Sequence, residues 1–229
     1  MEQNRLRGKL RALIPQHVSS RTVLGFFEFL RRAQKLSPCR FAGNFARNER
    51  AMARHTAAMR KNGGFVEDQP AWGDLAYGRS DMRAAGCEIF AVYNTLLQLG
   101  NTDSGLPELI RCFEKDGMVL SGRFGTAPIA LADHLRKLGY RVELSTNPAA
   151  FDSLSRTSGC LILTMYNDRR NILDAVHTVS ITPGPDGFTA HNVRGDGRPA
   201  GPFPDIASLL AGINGGRAGA IAMMGVNRS

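Results

Sequence analysis

No apolar stretch in this chain of 229 residues approaches the roughly 20 residues that span a bilayer. The nearest, Val23-Leu-Gly-Phe-Phe-Glu-Phe-Leu30, is interrupted by Glu28. The basic N-terminus is not followed by an apolar segment of about 7–15 residues, so a secretory leader is not expected. A cytoplasmic protein is the expectation. Cysteine is scarce as well: Cys39, Cys87, Cys112 and Cys160 lie far apart, and none forms a CxxC pair. No His/Cys spacing fits a zinc site, and wide spacing in an intracellular chain favours free thiols over disulfides.

Acidic residues are nearly missing from the first 63 positions, which hold 14 Lys/Arg against 3 Asp/Glu. The rest of the chain is close to neutral, so the net charge of +9 belongs to this segment. Leu6, Leu10, Leu13 and Ile14 follow helical spacing until Pro15. Ser19-Ser20-Arg21-Thr22 offers a cap for a second helix through Leu30. A third runs from Asn44 to Lys61. Residues 1–64 thus read as a basic helical N-terminal extension, solvated or partly disordered, with a pro-segment, a nucleic-acid arm or a contact with another anionic partner as the sharper readings. Residues 65–229 read as the main domain.

After Gly86 the apolar residues Ile89, Phe90, Val92, Tyr93, Leu96 and Leu97 keep helical spacing, and Gly100 ends the run. Helices are also expected over Leu106–Glu114 and Ile129–Leu138, the latter opened by Pro128. The period then changes. Strands are expected at Tyr140–Leu144, Gly159–Tyr166, Ala175–Thr182, Phe188–Val193 and Gly219–Val226. Short helices are expected at Pro148–Leu154 and Ile206–Leu210. Pro183-Gly-Pro-Asp-Gly187 is a turn that makes the third and fourth strands a hairpin. Helices first and an antiparallel sheet later define an α+β fold.

Cys87 stands at the start of the buried helix, where unpaired N–H groups favour a thiolate. A cysteine nucleophile needs a base, and the base needs an orienting group. His177 lies early in one hairpin strand and Asn192 late in the next, where an amide oxygen can hold the imidazole. Counted from the turn, the two positions are unequally distant, so a bulge or longer loop is expected to set the register. His191 is the competing imidazole if the register slips by one, and Asp196 is the fallback acid. Cys160, inside an apolar strand, and Cys112, on a helix without a base, read as structural. His134 reads as a partly exposed helix residue.

In this order and placement the residues resemble the papain-like cysteine peptidases. Within them they are most similar to the C39-like group, related to the proteases of double-glycine leader peptides. The likeness rests on Gly86-Cys87 before an apolar helix, on His177 opening a strand, and on Asn192 ending the next. The loop Phe124-Gly-Thr-Ala-Pro128 and the helix end at Leu138-Gly-Tyr140 add to it. It spans about residues 75–226 and implies a two-part domain, with Cys on the helical half and His and Asn on the sheet. Two positions depart from the family. Glu88 replaces the Gly that follows the nucleophile, and a carboxylate there raises the thiol pKa if it faces the site. Neighbours on a helix diverge by about 100°, which leaves Glu88 a direction away from it. Asp81 stands where the family has a Gln oxyanion donor. The cleft candidates are then Asp81, Ser80 and Glu88, with Asn44 and Gln69 as further donors and the Cys87 N–H as a backbone donor.

The leading expectation is a thiol hydrolase of peptide or isopeptide amides, with a peptide or protein substrate and no metal or organic cofactor. Acyl transfer on the same triad, and a non-catalytic binding module with a basic arm for anionic partners, are the alternatives.

Overall fold

The helical period of the first half and the alternating period of the second both persist in the computed structural model, which describes residues 19–35, 41–169, 176–193 and 195–229. The helix expected over Leu6–Ile14, and Cys39, lie outside those residues.

Helix α1 (Ser20–Lys35) begins where the Ser19 hydroxyl accepts from the Thr22 amide at 3.2 Å. Arg31 fastens it to the domain. This buried guanidinium meets Glu28 at 2.7 Å, Asp133 at 3.0 Å and the Asp116 carbonyl at 3.0 Å. The single helix expected over Asn44–Lys61 is two, α2 (Ala42–Met52) and α3 (Thr56–Lys61). The break carries His55 inward, where it bonds Asp74 at 2.8 Å and stacks on Trp72 at 4.0 Å between ring centroids. Buried Asn48 bonds both the carbonyl and the amide of Ala76, at 2.9 and 2.7 Å. Ala51 shares one apolar core with Ile89 and Phe90. The expected solvated extension over 1–64 is therefore corrected for its described part. Apart from Arg31, the described basic side chains of these helices face outward, but the inner faces of the helices are built into the domain.

A two-stranded hairpin of β1 (Ala76–Tyr77) and β2 (Ser80–Asp81) leads to a single helical turn, α4 (Met82–Ala85). Then come α5 (Cys87–Gln98), α6 (Leu106–Asp116) and α7 (Pro128–Lys137). The second half supplies β3 (Arg141–Ser145), α8 (Phe151–Thr157), β4 (Cys160–Tyr166), β5 (Val176–Gly184) and β6 (Gly187–His191). It ends with β7 (Ala200–Phe203), α9 (Ile206–Gly212) and β8 (Gly219–Asn227). The six-stranded sheet has the order β3-β8-β4-β5-β6-β7, and every pairing is antiparallel. The fold is α+β. Strand β7 was not expected, because its Gly-Pro step reads as loop; Pro is tolerated at a sheet edge.

Central strand β4 is buried on both faces, which is why it lacks alternation. Cys160 and Ile162 face the helical core with α5. Leu161, Leu163 and Met165 face a second core closed by Phe151, Leu154, Ile206 and Leu209. The sheet is thus the middle of three layers. Helix α5 lies against β4 and β5, which brings its first residue to the sheet.

Candidate active site

Gly86 ends α4 and directly precedes α5, so Cys87 occupies the first position of the long buried helix. A Cβ at residue 86 would lie 2.4 Å from the Met82 carbonyl, so this junction admits only glycine. The buried thiol is met by the backbone amide of Thr178, the residue after His177. Thr178 lies beyond the last β5–β6 pair, Ser180 with His191, so β6 does not claim its amide. Cys87 therefore sits at the edge of β5 from which the next strand has departed.

The thiol's hydrogen bond goes to its neighbour. Sγ donates to Glu88 Oε2 at 3.2 Å. Burial, and then the Glu88 charge, hold the thiol well above its ordinary range, while the Thr178 amide acts against them. This arrangement favours the neutral thiol over the thiolate. Glu88 is 4% exposed, so it does not point away as helical divergence allowed. It lies against Gly125, where a Cβ would come within 3.0 Å of Oε2. Burial pushes its carboxyl up to about 7, against the opposing pull of backbone amides. No cation pairs with Glu88 among the described residues.

His177 and Asn192 are brought together, by different atoms than expected. His177 Nε2 lies 2.7 Å from the Asn192 main-chain oxygen. A carbonyl only accepts, so Nε2 carries the proton and Nδ1 the lone pair. Burial pushes the imidazole pKa down. The Asn192 side chain is occupied elsewhere, accepting from the Gln69 amide at 3.1 Å and donating to Gln69 Oε1 at 3.2 Å. The expected bulge or longer loop is absent, and the turn holds two residues, Pro185 and Asp186. The β5–β6 pairing is regular from Gly184 with Gly187 to Ser180 with His191. Asn192 then turns away at φ 60°, a left-handed conformation that Asn adopts more readily than most residues. Its carbonyl reaches His177 diagonally from that turn. No hydrogen bond joins Cys87 to His177 among the described residues. Strand alternation sets His177 with Val179 and Ile181, and Thr178 with Ser180 on the α5 side.

The remaining candidates have structural duties. Asp81 caps α4, accepting from the Ala84 amide at 2.9 Å, and a carboxylate offers acceptors where an oxyanion needs a donor. Ser80 lies in the β1–β2 hairpin opposite Tyr77. Asn44 donates to Glu114 and to the Gly78 carbonyl, and Gln69 Nε2 donates to the Arg83 carbonyl. Asp196 accepts from the Arg198 amide in an exposed turn. Cys160 is buried with Sγ 3.3 Å from the Ile181 carbonyl, and Cys112 is exposed. His134 packs its ring on Phe113 at 4.9 Å.

His191 points to the side opposite His177. Its Nδ1 meets Glu67 Oε1 at 2.5 Å and its Nε2 meets Thr182 Oγ1 at 2.9 Å. Sequence reasoning missed Glu67. It lies in the loop-rich approach to the domain, and no local period marks a carboxylate that pairs with a strand so far along the chain.

No metal-holding group of His, Cys, Asp or Glu occurs among the described residues, and no described helix is long and apolar enough to cross a membrane. Comparison of the chain with protein-family models, with curated proteins and with solved structures yields no match.

Proposed function

We propose that this chain is a papain-like thiol hydrolase of peptide or isopeptide amides, with Cys87 as nucleophile, His177 as base and Asn192 as the residue that orients the base. The observation that supports this reading lies at the open edge of β5, where the thiol meets the backbone beside His177, although the imidazole rests on the face it shares with Val179 and Ile181. The Cys87 thiol meets the amide that follows His177, and the Asn192 carbonyl holds His177 Nε2, which leaves Nδ1 as the basic atom. In the reaction Nδ1 takes the Sγ proton as sulfur attacks the substrate carbonyl. The imidazolium then returns that proton to the leaving amine, and an acyl-enzyme remains for water to hydrolyse. The reaction requires the thiol to leave Glu88 and the imidazole to turn round the open edge of β5 toward it, so the observed contacts belong to a resting state. Acyl transfer to an amine uses the same steps with a different acceptor.

The test is amide cleavage across a peptide library, read as new amine termini. Cys87→Ala and His177→Ala are each expected to abolish it. Cleavage that survives Cys87→Ala overturns the proposal.

A second reading, a non-catalytic binding cleft, is favoured by one feature: the Glu88 carboxylate beside the thiol opposes ionisation. It predicts that alkylation of Cys87 is the same in wild type and in His177→Ala.

A further inference from the structure

We infer that Glu67 is a positioning residue that, through the main chain of Asn192, fixes the tautomer and direction of His177; the inference rests on the reading of His177 as the base.

Glu67 is 2% exposed, and both of its carboxylate oxygens are committed. Oε2 accepts from the Asn192 amide at 2.7 Å, and Oε1 takes His191 Nδ1 at 2.5 Å. His191 is held in turn by Thr182 at 2.9 Å and by the ring of Phe65, stacked at 4.1 Å between centroids. Four residues thus grip the amide side of residue 192. The Asn192 side chain is tied separately to Gln69. The N–H and C=O of residue 192 flank one Cα. Holding the N–H and the side chain fixes φ in its left-handed well and leaves only ψ to aim the carbonyl. That carbonyl is the sole hydrogen-bond partner of His177 among the described residues. Glu67 touches neither the thiol nor the imidazole, so its effect on His177 passes through the chain. A clasp that only joined residues 65–69 to the sheet would leave the imidazole tautomer alone, and this distinguishes the two roles.

The experiment uses the full chain with nitrogen-15-labelled histidine. Imidazole NMR of wild type is expected to show His177 as the Nε2–H tautomer. Glu67→Gln offers one acceptor and one NH2 group where two N–H donors need acceptors. It is expected to mix the Nδ1–H tautomer into the His177 signal and to slow alkylation of Cys87 at pH 7 by about tenfold. If that variant does not fold, Glu67→Leu with His191→Phe removes the buried pair as a unit and keeps the stack on Phe65, with the same expected mixing. A folded variant whose His177 keeps a pure Nε2–H signal overturns the inference, as does a mixed tautomer in wild type. Alkylation of Cys87 that His177→Ala leaves unchanged counts instead against the proposed function, while the tautomer still decides the role of Glu67.

Discussion

Cys87 and Glu88 show how far one residue's surroundings can move its chemistry. The glycines on either side of the helix made Cys87 legible as a helix start. The direction of Glu88 was not legible, because the divergence between helical neighbours left two sectors open. The glycine at 125, at φ 71°, decides between them by leaving room for a carboxylate. A Glu whose pKa rises from 4.5 to about 7 on folding keeps its proton in the folded chain after the unfolded chain has lost it. Its cost to stability is therefore absent below about pH 4.5, grows as pH rises toward 7, and is complete above that. Glu88→Gln is expected to match wild type near pH 4.5 and to gain up to about 3 kcal/mol at pH 8, measured by urea unfolding at both values. No change in the difference with pH would refute the buried charge. The same variant removes a negative neighbour from the thiol. Its alkylation profile at Cys87 is expected to move to lower pH, while burial still holds it above an ordinary cysteine. Gly125→Ala forces a side chain into a left-handed residue facing Glu88, at a cost of about 1–2 kcal/mol by denaturant midpoint.

At the scale of elements, the β5–β6 hairpin was readable from alternation and from the turn at Pro185-Asp186. Its use was not. A regular register places Asn192 opposite Val179, and only the left-handed turn at 192 returns its carbonyl to His177. That explains an Asn here on backbone grounds as well as chemical ones. Asn192→Val places a β-branched residue at positive φ, and Asn192→Gly does not. Both lose the bonds to Gln69, so the excess destabilisation of the Val variant, about 1 kcal/mol or more, isolates the backbone term. Equal midpoints would show that residue 192 does not hold this conformation. Helix α1 makes a similar point. Its period was visible, and its anchor was not, because Asp116 and Asp133 lie on other helices. Arg31→Ala leaves Glu28 buried without its inner partner. It is expected to cost about 3 kcal/mol, at the low end for a broken buried pair since both aspartates are partly exposed. Loss of hydrogen-exchange protection in α1 ahead of the sheet would locate that cost.

For the whole molecule, the boundary that charge suggests at residue 64 is not a boundary in the core. Asn48 completes the backbone bonding of β1, His55 covers Trp72, and Ala51 packs with α5. A chain of residues 65–229 alone is expected to lack a cooperative unfolding transition, and a sharp transition equal to that of the full chain would restore the boundary. Three properties were determined by the sequence itself. Apolar periods set most elements, their order set an α+β fold, and glycine placement put a cysteine at a helix start. Each is local, decided by side-chain spacing and backbone sterics over a turn or a strand. The tertiary structure alone decided which face of the basic helices is buried, that Glu88 meets the thiol, and that Asn192 serves His177 through its carbonyl. Those outcomes depend on contacts between distant segments, where a buried polar group must find whichever partner the packed chain supplies.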